Sequence, residues 1–202
     1  MTTTINRRRG DDLEDAIYQA AYALLQHENY QAITFSKIAA AAHTSRSVLY
    51  RHWDTPFELL FSAMHHHLKS ANIQLTDTNF DDGNLRANLI HTGRQFMNFL
   101  ASMLPEFNHM MLAEMTSQTA MIQKILHEMQ QGNLAIIDRV LTLAIATGEL
   151  KQLPPRPTRL ALFQIIRYTF IVEAHTLDTT EIIAIVDKVV LPAVLATGRN
   201  LK

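Results

Sequence analysis

Residues 29–53 hold three permanent cations, Lys37, Arg46 and Arg51, and no acidic residue. Thr34, Thr44, Ser45, Ser47 and Tyr50 set hydroxyls among them, and His43 and His52 add charge when protonated. Such a patch suits a phosphate polyanion. Neutralised phosphates supply affinity, and contacts to base edges supply sequence preference. Arg7, Arg8 and Arg9 form a second basic cluster, an arm able to reach a neighbouring groove or phosphate. Residues 54–202 carry 12 basic and 14 acidic side chains. The formal charge of −1 therefore hides a basic window followed by a slightly acidic body. It excludes only a uniformly basic coat.

Other spacings approach known chemistry and fall short. His127-Glu128-Met129-Gln130-Gln131 resembles the zinc pattern H-E-x-x-H, but Gln stands where the second His should be. Glu106-Phe107-Asn108-His109 is an E-x-x-H, which a di-iron bundle needs twice. His65-His66-His67 are adjacent, so on a helix they point about 100° apart and do not converge. One of them could still meet His91 or His109 in space. No Cys is present, which excludes disulfides, Fe–S clusters and thiolate zinc. No G-x-S-x-G, Walker A or G-x-G-x-x-G motif occurs. No cofactor, metal or enzyme activity is expected.

All eight internal Met residues lie between Met64 and Met129, with Phe61, Phe96, Phe99 and Phe107 among them. Met is flexible and polarizable and suits adaptable apolar surfaces, although it is also an ordinary core filler. Phe61, Met64, His65, Phe96, Phe99, Met103, Met110, Met111, Met115, Gln164 and Arg167 are the candidate contacts to an apolar or amphipathic small molecule. Arg94, Gln95, Glu114 and Gln118 are further polar groups in reach. Near the end of the chain, Phe163, Ile166, Phe170 and Ala174 share a helical stripe, and Ile183, Val186 and Val190 share another. Either the core or a second copy of the chain could cover these stripes.

The elements that must position these groups are helices. Of 202 residues, 48% are apolar and 18% charged, enough for a sizeable core and too apolar for charge-driven disorder. Gly and Pro are few, and no run alternates in the manner of a half-buried strand. An all-α fold of about nine helices is expected. The first spans about residues 12–27, capped by Asp11 or Asp12. The second starts at Thr34 and reaches Ala42, and the third runs from Ser45 to His52. Thr55-Pro56-Phe57-Glu58 is a capping-box start for a long fourth helix. Later helices are expected over about 84–104, 107–115, 117–147, 158–176 and 178–195. Two domains follow from this asymmetry, 1–54 with three short helices and 55–202 with long ones.

Two short helices joined by a tight turn suit a helix-turn-helix, whose second helix enters the major groove. Arg46, Ser47, Tyr50 and Arg51 would face outward, over Val48, Leu49 and Trp53. The segment Thr34-Phe35-Ser36-Lys37-Ile38-Ala39-Ala40-Ala41-Ala42-His43-Thr44-Ser45-Arg46-Ser47-Val48-Leu49-Tyr50-Arg51-His52-Trp53 resembles the DNA-binding region of the TetR family of bacterial transcriptional regulators. The resemblance covers about residues 13–60. Beyond it, only the helix count and Thr147-Gly148-Glu149-Leu150 are similar. It implies that Arg46, Ser47 and Tyr50 face bases or nearby backbone, and that Thr34, Tyr50 and His52 touch phosphates. Lys37, Thr44, Ser45 and Arg51 complete the expected DNA-binding set. The family usually has Gly in the turn where His43 stands, often Thr in place of Val48 and commonly Lys in place of Pro56.

The resemblance further implies a homodimer, a palindromic double-stranded operator and a small-molecule effector held among the fourth to eighth helices. Effector binding would tilt the fourth helix and reset the spacing of the two reading helices. A cytoplasmic repressor is expected. No uncharged apolar stretch approaches a membrane span, and the N-terminus lacks the apolar run of a secretory signal. The alternative is an all-helical small-molecule-binding protein or enzyme that has lost operator binding.

Overall fold

The computed structural model describes residues 10–73, 75 and 81–198. The Arg7, Arg8 and Arg9 arm lies outside the described residues, as does the side chain of Asp11. Every regular element among those described is helical. The helices are α1 (Gly10–His27), α2 (Phe35–Ala41), α3 (Arg46–Leu49), α4 (Pro56–Ser70), α5 (Leu85–Ala101), α6 (Pro105–Met115), α7 (Ala120–Ala146), α8 (Arg156–Ile171), α9 (Thr179–Ile185) and α10 (Leu191–Gly198).

They form two compact units, and the division differs from a cut at residue 54. The first unit extends to Ile73 and also includes Met103–Met111. The reason is packing: α1 lies along α4. Ile17, Ala21 and Leu25 recur every four residues on α1 and are buried, as are Leu59, Leu60, Ala63 and Met64 on α4. Polar and aromatic groups close the seam. Tyr18 stacks on His66 at 4.9 Å and meets the edge of Trp53 at 5.7 Å, while Tyr22 stacks on His67 at 3.8 Å. His66 Nε2 also lies 2.8 Å from Asp15 Oδ1. His65 turns instead to the Phe61 carbonyl, 3.0 Å away. Two of the three consecutive histidines thus join helices, and the third stays on its own. Among the described residues no group of three or more acidic or histidine side chains converges as a metal site.

The short elements of this unit are set by caps. Thr34 Oγ1 accepts from the Lys37 amide to start α2, and Thr55 Oγ1 accepts from the Glu58 amide at 3.2 Å to start α4. Glu58 returns its carboxylate to the Asp54 amide at 2.8 Å, one residue before the cap, so the capping box is displaced by one position. Between α2 and α3 the chain turns at His43, whose φ is 52°. The His43 amide donates to the Ala40 carbonyl and the Thr44 amide to the Ala39 carbonyl, the two bonds of a Schellman ending. Glycine is the usual occupant of that left-handed position.

In the second unit, α5 begins on Asn84, whose side chain accepts from the Ala87 amide at 2.9 Å. Leu85, Leu89, Phe96 and Leu100 of α5 pack with Ile137, Val140 and Leu141 of α7 and Leu162, Phe163 and Ile166 of α8. Gly93 permits a close crossing: a Cβ there would come 2.8 Å from Ile182 Cγ2 of α9. Helix α7 starts on the Thr119 cap and ends at Gly148, again in a Schellman arrangement.

Two expected helices change at their ends. The eighth stops at Ile171 rather than near 176, and Ala174 sits beyond it with a φ of 52°. The ninth starts on an Asp178–Glu181 capping box, with both bonds present. It then widens into a π turn over Val186–Val190 before α10. Pro192 explains the widening. It has no amide proton to give and its ring would collide with the carbonyl four residues earlier, so the extra residue relieves both problems.

Candidate nucleic-acid interface

The expected reading helix is present but short. Regular α geometry covers Arg46–Leu49, and the amides of Arg51 and His52 then bond three residues back. The chain tightens into a terminal turn instead of continuing as α-helix to His52. Ser45 occupies the cap position without a side-chain bond to the helix. Its Oγ pairs with Ser47 Oγ at 2.8 Å. Leu49 is fully buried and Trp53 nearly so, which fixes the inner side of the element. Arg46, Ser47, Tyr50, Arg51 and His52 are left exposed on the outer side.

Two of these side chains are held in place. The Tyr50 ring is 62% exposed, yet its edge-to-face contact with buried Phe35 of α2, at 4.8 Å, limits where its hydroxyl can go. Arg51 Nε donates to the Ser47 carbonyl at 3.2 Å, which draws the guanidinium along the helix. Among the described contacts Arg46 has no acidic partner. It is exposed at the first helical position, where helix-turn-helix proteins present base-reading side chains.

Lys37 differs. Its Nζ pairs with Glu28 Oε2 at 2.5 Å. Glu28 lies one residue before the acid-free window, so sequence counting missed it. The patch is therefore less positive around Lys37 than around Arg46 and Arg51. A second acid missed by counting is Glu106 at the start of α6. Its Oε1 accepts from the Tyr30 amide at 2.8 Å, and its Oε2 lies 3.3 Å from His109 Nδ1. This carboxylate ties α6 to the 3₁₀ turn that leads into α2. No local sequence signal joins positions 30 and 106. Thr34 and Thr44 flank the turn, Thr34 as the α2 cap.

The expected effector contacts fall into both units. Met64, Met110 and Met111 are buried in the first, with Phe61 and Met103 partly so and His65 exposed. In the second, Phe96 is buried, Phe99, Met115 and Arg167 are partly exposed, and Gln164 is exposed. Gln164 shares its side of α8 with Tyr168, one turn on, and faces solvent rather than the core. Arg94 and Gln95 line an open groove of about 460 Å³ on α5, with Asp82, Arg86, His91 and Asn98. Arg167 is set differently. Its guanidinium lies over the Phe96 ring at 5.2 Å. Burial lowers its pKa to about 10, so it is still a cation at neutral pH.

The expected dimer stripes divide in the same way. Phe163, Ile166, Val186 and Val190 are fully or almost fully buried within this chain, where they pack its core. Phe170 and Ile183 are partly exposed, and Ala174 has left the helix. The large apolar side chains that stay exposed here are Tyr168, Val172 and Val189.

A family model described as bacterial regulatory proteins, tetR family, matches residues 17–63. A second, described as a tetracyclin repressor-like C-terminal domain, matches residues 80–189. The chain is 27% identical over 141 residues to a DNA-binding transcriptional repressor TetR of Mycobacteroides abscessus, covering 70% of this chain and 72% of that protein. Solved structures share the fold. A transcriptional regulator of the TetR/AcrR family from Thermobifida fusca aligns with a TM-score of 0.61 at 15% identity, covering 89% of this chain and 97% of that one. The regulator FadR from Bacillus subtilis, solved with stearoyl-CoA, aligns with a TM-score of 0.57 at 18% identity, covering 89% and 96%.

Proposed function

Because the chain belongs to the tetR family of bacterial regulatory proteins, we propose that α3 is its DNA-reading helix, carried into the major groove by α2 and the His43 turn. The protein is a DNA-binding transcriptional regulator with a ligand-binding C-terminal domain. The observation that carries the residue assignment is the exposed outer side of α3, where Arg46, Ser47, Tyr50 and Arg51 stand over buried Leu49. Arg46 reads a base, with Ser47 beside it. Thr34, Thr44, Ser45, Tyr50, Arg51 and His52 hold the backbone. Lys37 contributes weakly while it pairs with Glu28.

The protein acts as a homodimeric repressor in the cytoplasm and not as an enzyme. Two reading helices a turn of DNA apart match a palindromic operator. Among the described residues no helix is long and apolar enough to cross a membrane. Exposed Tyr168, Val172 and Val189 are the apolar side chains offered to the second subunit. A Tyr168→Glu variant should shift the sedimentation equilibrium toward monomer. Effector binding changes operator affinity through α4, which lies along α1 in the reading unit, and through Glu106 of α6, which accepts from the Tyr30 amide. An effector acts this way only if it prefers one arrangement over the other.

Selection of duplexes from a random pool tests the reading. It should enrich a palindrome whose half-sites lie about 10 base pairs apart, bound with a steep salt dependence. Failure to enrich any sequence would favour a small-molecule binder without an operator.

A further inference from the structure

Helix α8 carries two arginines whose Nε atoms are buried without a hydrogen-bond partner, Arg159 and Arg167. They are eight residues apart and differ in one respect. Arg159 Nη1 donates to both oxygens of Asp138 on α7, at 2.8 and 2.7 Å. Among the described residues Arg167 has no carboxylate partner: desolvation lowers its pKa, and no described acid raises it back. What faces it is the Phe96 ring, itself buried and braced edge-on by Phe163 at 4.9 Å. An aromatic face attracts a cation less strongly than desolvation penalises it. The same helix thus shows how this protein settles a structural arginine, and Arg167 is not settled in that way. Its Nε is sealed, but the residue as a whole keeps partial exposure. The fork can therefore still be approached.

We propose that Arg167 is the anion anchor of the effector site, taking the carboxylate or a similar oxyanion of an amphipathic effector. This rests on the reading of the C-terminal domain as ligand-binding. Guanidinium matches a carboxylate with two parallel bonds, and the contact with Phe96 places the group before the ligand arrives. The effector's negative end then supplies the partner that Asp138 supplies to Arg159.

Calorimetry on the full-length protein tests this, with n-alkyl carboxylates, alkyl sulfates and alkanols of about six to sixteen carbons as probes. At the best chain length the carboxylate should bind at least about tenfold tighter than the alkanol. Sulfate and carboxylate affinities then tell which oxyanion fits. Arg167→Met should erase the preference and leave alkanol affinity unchanged. Its melting temperature without ligand should rise, because an unpaired buried charge is gone. Arg167→Lys, which keeps the charge and loses the fork, should retain part of the preference. The proposal is overturned if carboxylate and alkanol bind alike, if no probe binds, or if Arg167→Met keeps the preference. A lowered melting temperature in Arg167→Met would also overturn it, since the charge would then have a partner in the assembled protein. Operator release separates the two readings. Release by an alkanol as effective as the carboxylate removes the anchor and keeps the regulator. Carboxylate binding through Arg167 without release keeps the anchor and removes the ligand response.

Discussion

In the reading unit, α3 has four regular residues and leaves nearly every polar side chain of its segment exposed. In the second unit, α7 runs for 27 residues and buries Ile122, Ile125, Ile136, Ile137, Val140 and Leu141. The α2–α3 segment is set by caps, a tight turn and aromatic contacts over the apolar α1–α4 seam, and leaves its polar groups exposed. The second unit is held by apolar area and pairs charges such as Arg159 with Asp138 and Arg86 with Asp187, Arg167 being the exception. The contrast separates two kinds of substitution. Changes in the second unit should act on folding, and changes on the outer side of α3 should act on DNA.

The largest effect should come from Phe163→Ala. Its side chain is completely buried beside Phe96, and truncation should cost about 3–5 kcal/mol of unfolding free energy. Chemical denaturation measures it, and a cost below 1 kcal/mol would mean that this core is loose. Tyr50→Ala should do the reverse. Losing the Phe35 contact should cost only about 1 kcal/mol of stability. Losing a hydroxyl bond to phosphate should weaken operator binding by roughly tenfold. If the variant instead unfolds, the two regions are not distinct in this way.

His43→Gly tests the turn. The left-handed backbone at this residue should be relieved by about 1 kcal/mol, seen as a higher melting temperature with DNA specificity kept. Glu28→Gln should be the mildest. It should leave stability within about 0.5 kcal/mol and release Lys37. Binding to random DNA should tighten slightly and its salt slope steepen by about one. An unchanged slope would place Lys37 away from phosphate.

Local signals carried much of this fold. Thr34, Thr55, Asn84 and Asp178 mark helix starts because a cap acts within three residues of itself. The four-residue spacing of Ile17, Ala21 and Leu25 is a local signal too, and all three are buried. What was missed depends on distance. Glu106 meets Tyr30 across 76 residues of sequence. The apolar stripe through Phe163 and Ile166 fits a core or an interface equally well until the neighbours of α8 are known. The widening at Val186–Val190 was legible in principle, since Pro192 announces it. Ala174 was placed on a helix because its stripe was counted past the point where the helix ends.

The most direct measurement is the affinity of Arg46→Ala for a selected operator and for a scrambled duplex at one salt concentration. If Arg46 reads a guanine, the operator should lose about 1–3 kcal/mol while the scrambled duplex changes little, so that specificity falls. An equal loss on both duplexes would contradict this and make Arg46 a phosphate contact.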